Sequence, residues 1–175
     1  MKAVVFTEAA DTVDADSEHS LLHYYKGQFR PVTSFVQKLS NFANTDLYIL
    51  SSEYGVCQGS QSVSELTQAG DQDQIRQRAQ SLLLSELKDA DIVVLLLTKS
   101  SFTDVVEPIW QDFTESAKPE SIWGLGLPQS VLDAVDLESL KLGSELYIYP
   151  RVGVARIDIE TRKEILGAAQ KRASK

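Results

Sequence analysis

Ser51-Ser52-Glu53-Tyr54-Gly55 follows the apolar run Leu47–Leu50 and gathers two hydroxyls, a carboxylate, a phenol and a permissive backbone position. Hydroxyls and loop amides of this kind can hold a phosphate, a ribose or a base edge, and Gly55 permits a tight turn. Glu53 is the carboxylate that would orient water or stabilise charge in a catalytic site. The same residues also describe an ordinary serine turn leaving a strand. A second group, Thr98-Lys99-Ser100-Ser101, follows another apolar run and opens a helix. Hydroxyls and an ammonium at a helix start suit an anion, and Lys99 is the charge that would complement a phosphate. Ser100 or Ser101 would serve equally well as a helix cap. The group lacks the glycines of a P-loop.

Weaker signals lie elsewhere. Gly124 and Gly126 in "IWGLGLP" could bring backbone close to a ligand or simply turn the chain. His19 and His23 share a spacing of four but have no third ligand nearby, so no metal and no cofactor is expected. The single cysteine, Cys57, reads as an inert buried thiol in the absence of an adjacent base. "YYKGQF", Tyr24 to Phe29, could cover a base or a sugar, although aromatics beside a helix usually pack in the core. Arg151 and Arg156 flank a possible edge strand and read as solvated, with phosphate binding as the alternative.

These groups need a scaffold, and strand and helix signals alternate as in an α/β layered domain. Strands are expected at Lys2–Thr7, Leu47–Leu50, Asp91–Leu97, Ser121–Leu125 and Glu145–Tyr149, with Val152–Ile157 as a possible edge continuation beyond Pro150. The third of these is apolar on both faces, as a central parallel strand should be. Helices are expected from Pro31, over Asp71–Leu87, over Phe102–Ala117 with a break at Pro108, over Pro128–Leu140, and from Asp158 to about Lys171. Glu8–Ser20 is acidic and reads as a loop. The expectation is one three-layer Rossmann-like domain spanning residues 1–175, with a mainly parallel central sheet of four to five strands. In such sheets ligands bind beyond the carboxyl ends of the strands, where the Ser51–Gly55 and Lys99–Ser101 groups both fall.

Composition narrows the function. At 175 residues with 43% hydrophobic side chains, the chain can bury a core without disulfides. A net charge of -8 argues against a broad basic footprint for nucleic acid, and a local basic groove stays compatible with it. Ten lysines weigh against a salt-adapted acidic proteome as the source of that charge. The longest apolar stretch falls far short of the roughly 20 residues that cross a bilayer, and the amino terminus turns acidic within a few residues, unlike a signal peptide. A cytoplasmic protein is expected, with no membrane partner.

The order of the pieces resembles the peroxide-stress YaaA-like proteins and their smaller relatives. Those carry an "ILSAxYGLL" segment after the second strand, a later loop with Tyr or Phe opening a helix, and a late "P-L-x-G-L"-like turn. The matching residues are Ile49, Leu50, Ser51, Tyr54 and Gly55, then Phe102, then Gly124 and Leu125. "FTEAADTV" stands where that group has a cysteine- or serine-lysine turn, and Val56-Cys57-Gln58-Gly59 stands in place of Leu-Leu-x-Pro. The resemblance implies a fold similar to uracil-DNA glycosylases and a nucleotide, nucleobase or nucleic-acid ligand, with N-glycosidic bond chemistry if the protein is an enzyme. Two rivals stand beside it. "LKDADIVVLLL" resembles the aspartate–strand segment of nucleoside deoxyribosyltransferases, and an acidic non-catalytic interaction or oligomerisation protein would need the loops only as caps.

Overall fold

Apolar alternation and burial on two faces set the strands of the computed structural model, which describes residues 1–16 and 18–175. They are β1 (Lys2–Glu8), β2 (Asn44–Ser51), β3 (Gly55–Gln58), β4 (Ile92–Leu96), β5 (Ile122–Leu127) and β6 (Glu145–Pro150). They form one sheet in the order β3-β2-β1-β4-β5-β6. Every neighbouring pair is parallel except β2 and β3. The fold is the expected Rossmann-like three-layer α/β arrangement, with six strands rather than four or five. The unexpected strand is β3, whose four residues are too few to show a period and which pairs antiparallel at the sheet edge.

In β1 successive side chains go to opposite layers, Val5 into one apolar cluster and Val4 and Phe6 into the other. Burying an aliphatic or aromatic side chain of this size stabilises by about 1.5–3 kcal/mol, so β1 and the fully buried β4 anchor the sheet. One face is covered by α2 (Arg30–Leu39), through Val32 and Phe35, and by α8 (Ile159–Ala173), through Ile165 and Ala169. α1 (Leu21–Tyr24) adds Leu21 to the same cluster. The other face is covered by α3 (Gln72–Leu87), through Ala79, Leu83 and Leu87, and by Trp110 and Phe113 of α5 (Trp110–Glu115). Asp71 and Asp158 start α3 and α8 as N-caps, accepting from the amides of Gln74 and Thr161 at 2.9 Å each.

Three expected elements are redrawn. The helix expected over Phe102–Ala117 is α4 (Lys99–Ser101), a π-helical turn at Phe102–Val106, a 3-10 turn at Glu107–Ile109 and then α5. Pro108 sits in the tight turn, where its missing N–H costs least. The helix expected over Pro128–Leu140 is two short ones, α6 (Gln129–Leu132) and α7 (Glu138–Gly143). Val152–Ile157 is not a strand. Gly153, at φ +64°, turns the chain away from the sheet edge, and Arg156 is buried beneath β1.

Candidate functional site

The strand order reverses at β1. The chain goes from β1 to β2 on one side, and β4 then lies on the other side. Adjacent crossovers diverge at such a point and leave a crevice beyond the strand ends, which is where ligands bind in open α/β sheets. A cavity of about 500 Å³ opens there. The exit of β1 lines it with Glu8, Ala9, Ala10 and Asp11, and the end of β2 supplies Leu50, Ser51 and Ser52. The start of α3 contributes Gln72, Ile75 and Arg76, while Ser101, Asp104 and Val105 come from α4 and the π-helical turn. π-helical turns widen a helix locally and are frequent at functional sites. Here the turn places Asp104 on the cavity wall.

The loss of apolar pattern after Leu50 has a local cause. Ser51 pairs with Gly55 across a hairpin, and Ser52, Glu53 and Tyr54 form its tip. Ser51 Oγ accepts from the amides of Glu53 and Tyr54, both at 3.2 Å, and Gly55 takes φ +74° to close the turn. Ser51 is 5% exposed, so its hydroxyl acts from inside the fold, against the cavity. The serine turn and the cavity wall are therefore one structure.

A charged network fixes the β1 side. Thr98 Oγ1 donates to Glu8 Oε1 at 2.5 Å and caps α4 by accepting from the Ser101 amide at 3.4 Å. Arg151 Nη1 faces the other Glu8 oxygen, Oε2, at 3.6 Å, an ion pair without a hydrogen bond. Arg156 donates to Thr7 Oγ1 and to the Ala9 carbonyl, both at 2.8 Å, and also to the Glu8 carbonyl. Its guanidinium lies 5.3 Å from the centre of the Phe29 ring. Burial pulls the Arg156 guanidinium below its ordinary pKa, with the charge of Glu8 acting in the opposite direction. Sequence reasoning took both arginines for solvated groups. Arg156 is 7% exposed, and the Arg151 side chain is almost as deeply covered.

The other sequence-selected residues scatter. Ser51, Ser52 and Ser101 share the cavity; Tyr54 and Gly55 line a neighbouring one of about 330 Å³ between β3 and α3. Lys99 lines a separate groove with Phe102, Thr103 and Glu107, on the far side of the π-helical turn. Ser100 is exposed beside it. Glu53 is exposed at the hairpin tip, outside the lining of the central cavity, and its neighbouring carboxylate raises the Tyr54 phenol pKa above its ordinary value. Cys57 is buried, and burial pushes its thiol up to about 11, so it is a poor nucleophile. Tyr25 and Phe29 pack in the core. His19 lies 3.6 Å from Asp14 and 3.5 Å from Asp16, and no cluster of three or more His, Cys, Asp or Glu among the described residues could hold a metal.

Gly124 and Gly126 lie inside β5 and serve packing. A Cβ at Gly124 would fall 2.5 Å from Ile165 Cδ1, and one at Gly126 would fall 2.3 Å from the Arg156 carbonyl oxygen. The close approach these glycines permit is to α8 and to the Arg156 backbone.

Sequence reasoning missed Glu8, Asp11, Gln72, Arg76 and Asp104. The signal for Glu8 and Asp11 was present: they leave the carboxyl end of a strand in "VVFTEAAD" just as the serines do. Asp104 carried none, because in a regular helix its direction would differ.

Fold and cavity together define a Rossmann-like α/β protein with a polar crevice at its topological switch point. No family model matches the chain, and no curated protein matches its sequence. No helix among the described residues is long and apolar enough to cross a membrane.

Proposed function

We propose that the chain binds a nucleoside- or nucleotide-sized polar ligand in the switch-point cavity. The observation that carries this reading is the position of a cavity of about 500 Å³ at the reversal of strand order, lined chiefly by hydroxyl, amide and carboxylate groups. That volume lies within the range of small-molecule sites. Ser51, Ser52, Ser101 and Gln72 offer donors and acceptors for base edges and sugar hydroxyls, and Asp11 and Asp104 offer acceptors only. N-glycosidic bond chemistry in this cavity would draw on Glu8, Asp11 or Asp104, the carboxylates that line it, in place of Glu53.

The test is a thermal-shift screen of the intact chain in the cytoplasm-like conditions this reading assumes, against nucleosides, nucleotides and short single strands. Ligand at one hundred times its Kd stabilises by about 2.7 kcal/mol, so a micromolar binder raises Tm by several degrees. Shifts confined to small molecules, and lost in Ser52→Ala and Asp104→Asn, support the reading. A flat response across all three classes overturns it.

A second reading as an oligomerisation module draws on one observation. Leu142, Val152, Val154 and Ile159 are all more than half exposed and flank β6, whose outer edge has no neighbouring strand among the described residues. Light scattering after size exclusion checks it: a monomer at high micromolar concentration removes this reading.

A further inference from the structure

We propose that this cavity takes an uncharged nucleoside and rejects its phosphorylated form. The inference rests on the reading above and concerns the charge of the ligand, which four observations decide.

The first is the sign of the walls. Glu8, Asp11 and Asp104 line the cavity against one cation, Arg76. Arg76 is itself tied to Asp73 at 2.7 Å, outside the lining. Glu8 is partly offset by Arg151 at 3.6 Å, and Arg156, buried behind the β1 exit and outside the lining, also attracts Glu8 and Asp11. Asp11 and Asp104 form no ion pair with any described residue. Among the side chains that line the cavity the balance is negative.

The second is the fate of the usual anion site. The start of α3 lies at the cavity, and a helix N-terminus with free amides attracts phosphate. Here the Asp71 carboxylate already occupies that position, accepting from the Gln74 amide at 2.9 Å, while the Asp73 charge in the first turn is paired with Arg76. The third is the position of Lys99, the one ammonium near the end of β4. It lines a different groove and supplies nothing to an anion in this cavity.

The fourth points to what the cavity does take. Ser51 is 5% exposed, and its oxygen is used by two backbone amides. Among the described residues its own proton is given to no acceptor, so a buried O–H donor is left for a ligand. Ser52 and Ser101 add hydroxyls on the same lining. Carboxylates that lack a cation are strong acceptors for the vicinal hydroxyls of a sugar, the role acidic residues play against ribose in other doubly wound sheets. Asp11 and Asp104 are placed for that contact, while a phosphate near either would meet like charge in partly screened surroundings.

Isothermal titration at low salt tests this with adenosine, guanosine, cytidine, uridine and their 5′-monophosphates. The expected result is that the best nucleoside binds about tenfold or more tightly than its own monophosphate, the ratio set by roughly one like-charge contact. In the Asp11→Asn/Asp104→Asn double variant the preference should shrink to about threefold or less. Both positions are exposed, so the variant keeps the fold, and an unchanged Tm of the free protein verifies it. A monophosphate binding as tightly as its nucleoside overturns the inference and leaves the nucleoside-sized site standing. A preference that survives the double variant also overturns it, because the charge would then not be the cause. No binding by any of the eight probes overturns the reading of the site itself.

Discussion

Beyond the end of β1 the two faces of the sheet are built from the same strands and finish in opposite ways. On the α2–α8 face the space is closed. Arg156 fills it with a guanidinium that pairs with Thr7, with the carbonyls of Glu8 and Ala9, and with the Phe29 ring. On the α3 face the space is open, and hydroxyls and carboxylates line it. A buried charge is tolerated when most of its hydrogen bonds are met. Both Arg156 Nη atoms are paired and only Nε is left without a partner among the described residues, so the closed face is a structural joint. The open face holds Asp11, Ser52 and Asp104, whose side chains form no hydrogen bond or ion pair with the described residues, and it has room for a ligand.

The comparison can be broken most sharply at Arg156. Arg156→Ala removes three donors from buried acceptors and leaves Glu8 beside Arg151 alone. The expected loss is about 3–5 kcal/mol, the cost of breaking a buried charge network, read from urea unfolding. A loss below 1 kcal/mol would mean the closed face is not a joint.

Gly126→Ala attacks the same joint from the sheet. Its new methyl group meets the Arg156 carbonyl, a backbone atom that cannot swing aside. Overpacking of this kind costs about 1–3 kcal/mol. Gly124→Ala meets side chains alone, the tip of Ile165 and, less closely, the two Val94 methyl groups, and should cost less. The reverse order would place the rigid contact elsewhere.

Thr98 stands on the boundary, holding Glu8 at the cavity while capping α4. Thr98→Val should cost about 1–2 kcal/mol for the lost cap and should weaken ligand binding as well. Thr98→Ser should restore both, in thermal melts and in titrations.

On the open face, Ser52→Ala and Asp104→Asn should change the stability of the free protein by no more than about 0.5 kcal/mol, as exposed substitutions do, and should lower ligand affinity. Lys99→Ala should change neither quantity measurably. A loss of affinity on removing Lys99 would join its groove to the site and erase the difference between the two.

Much of this was legible in "DLYILSSEYG", but for a reason that the residues alone leave double. The serines do leave a strand at the ligand-binding end of the sheet. They also make a hairpin, because Gly55 at positive φ returns the chain into β3. The period of the apolar residues carried the parallel strands well, since burial on two faces needs an unbroken run. It failed between Phe102 and Leu140, where π-helical and 3-10 turns interrupt the helical spacing.

By itself the sequence determined the layered α/β class, the central place of Ile92–Leu96 and the starts of α3 and α8 at Asp71 and Asp158. Those features follow from side-chain burial and backbone hydrogen bonding within a few residues. Only the tertiary structure decided that Arg156 is buried, that Lys99 and Ser101 face different cavities, and that Glu8, Asp11 and Asp104 meet. Thr7 and Arg156 are 149 residues apart in the chain and 2.8 Å apart in space. Contacts of that kind are set by the strand order of the sheet, and no local pattern encodes it.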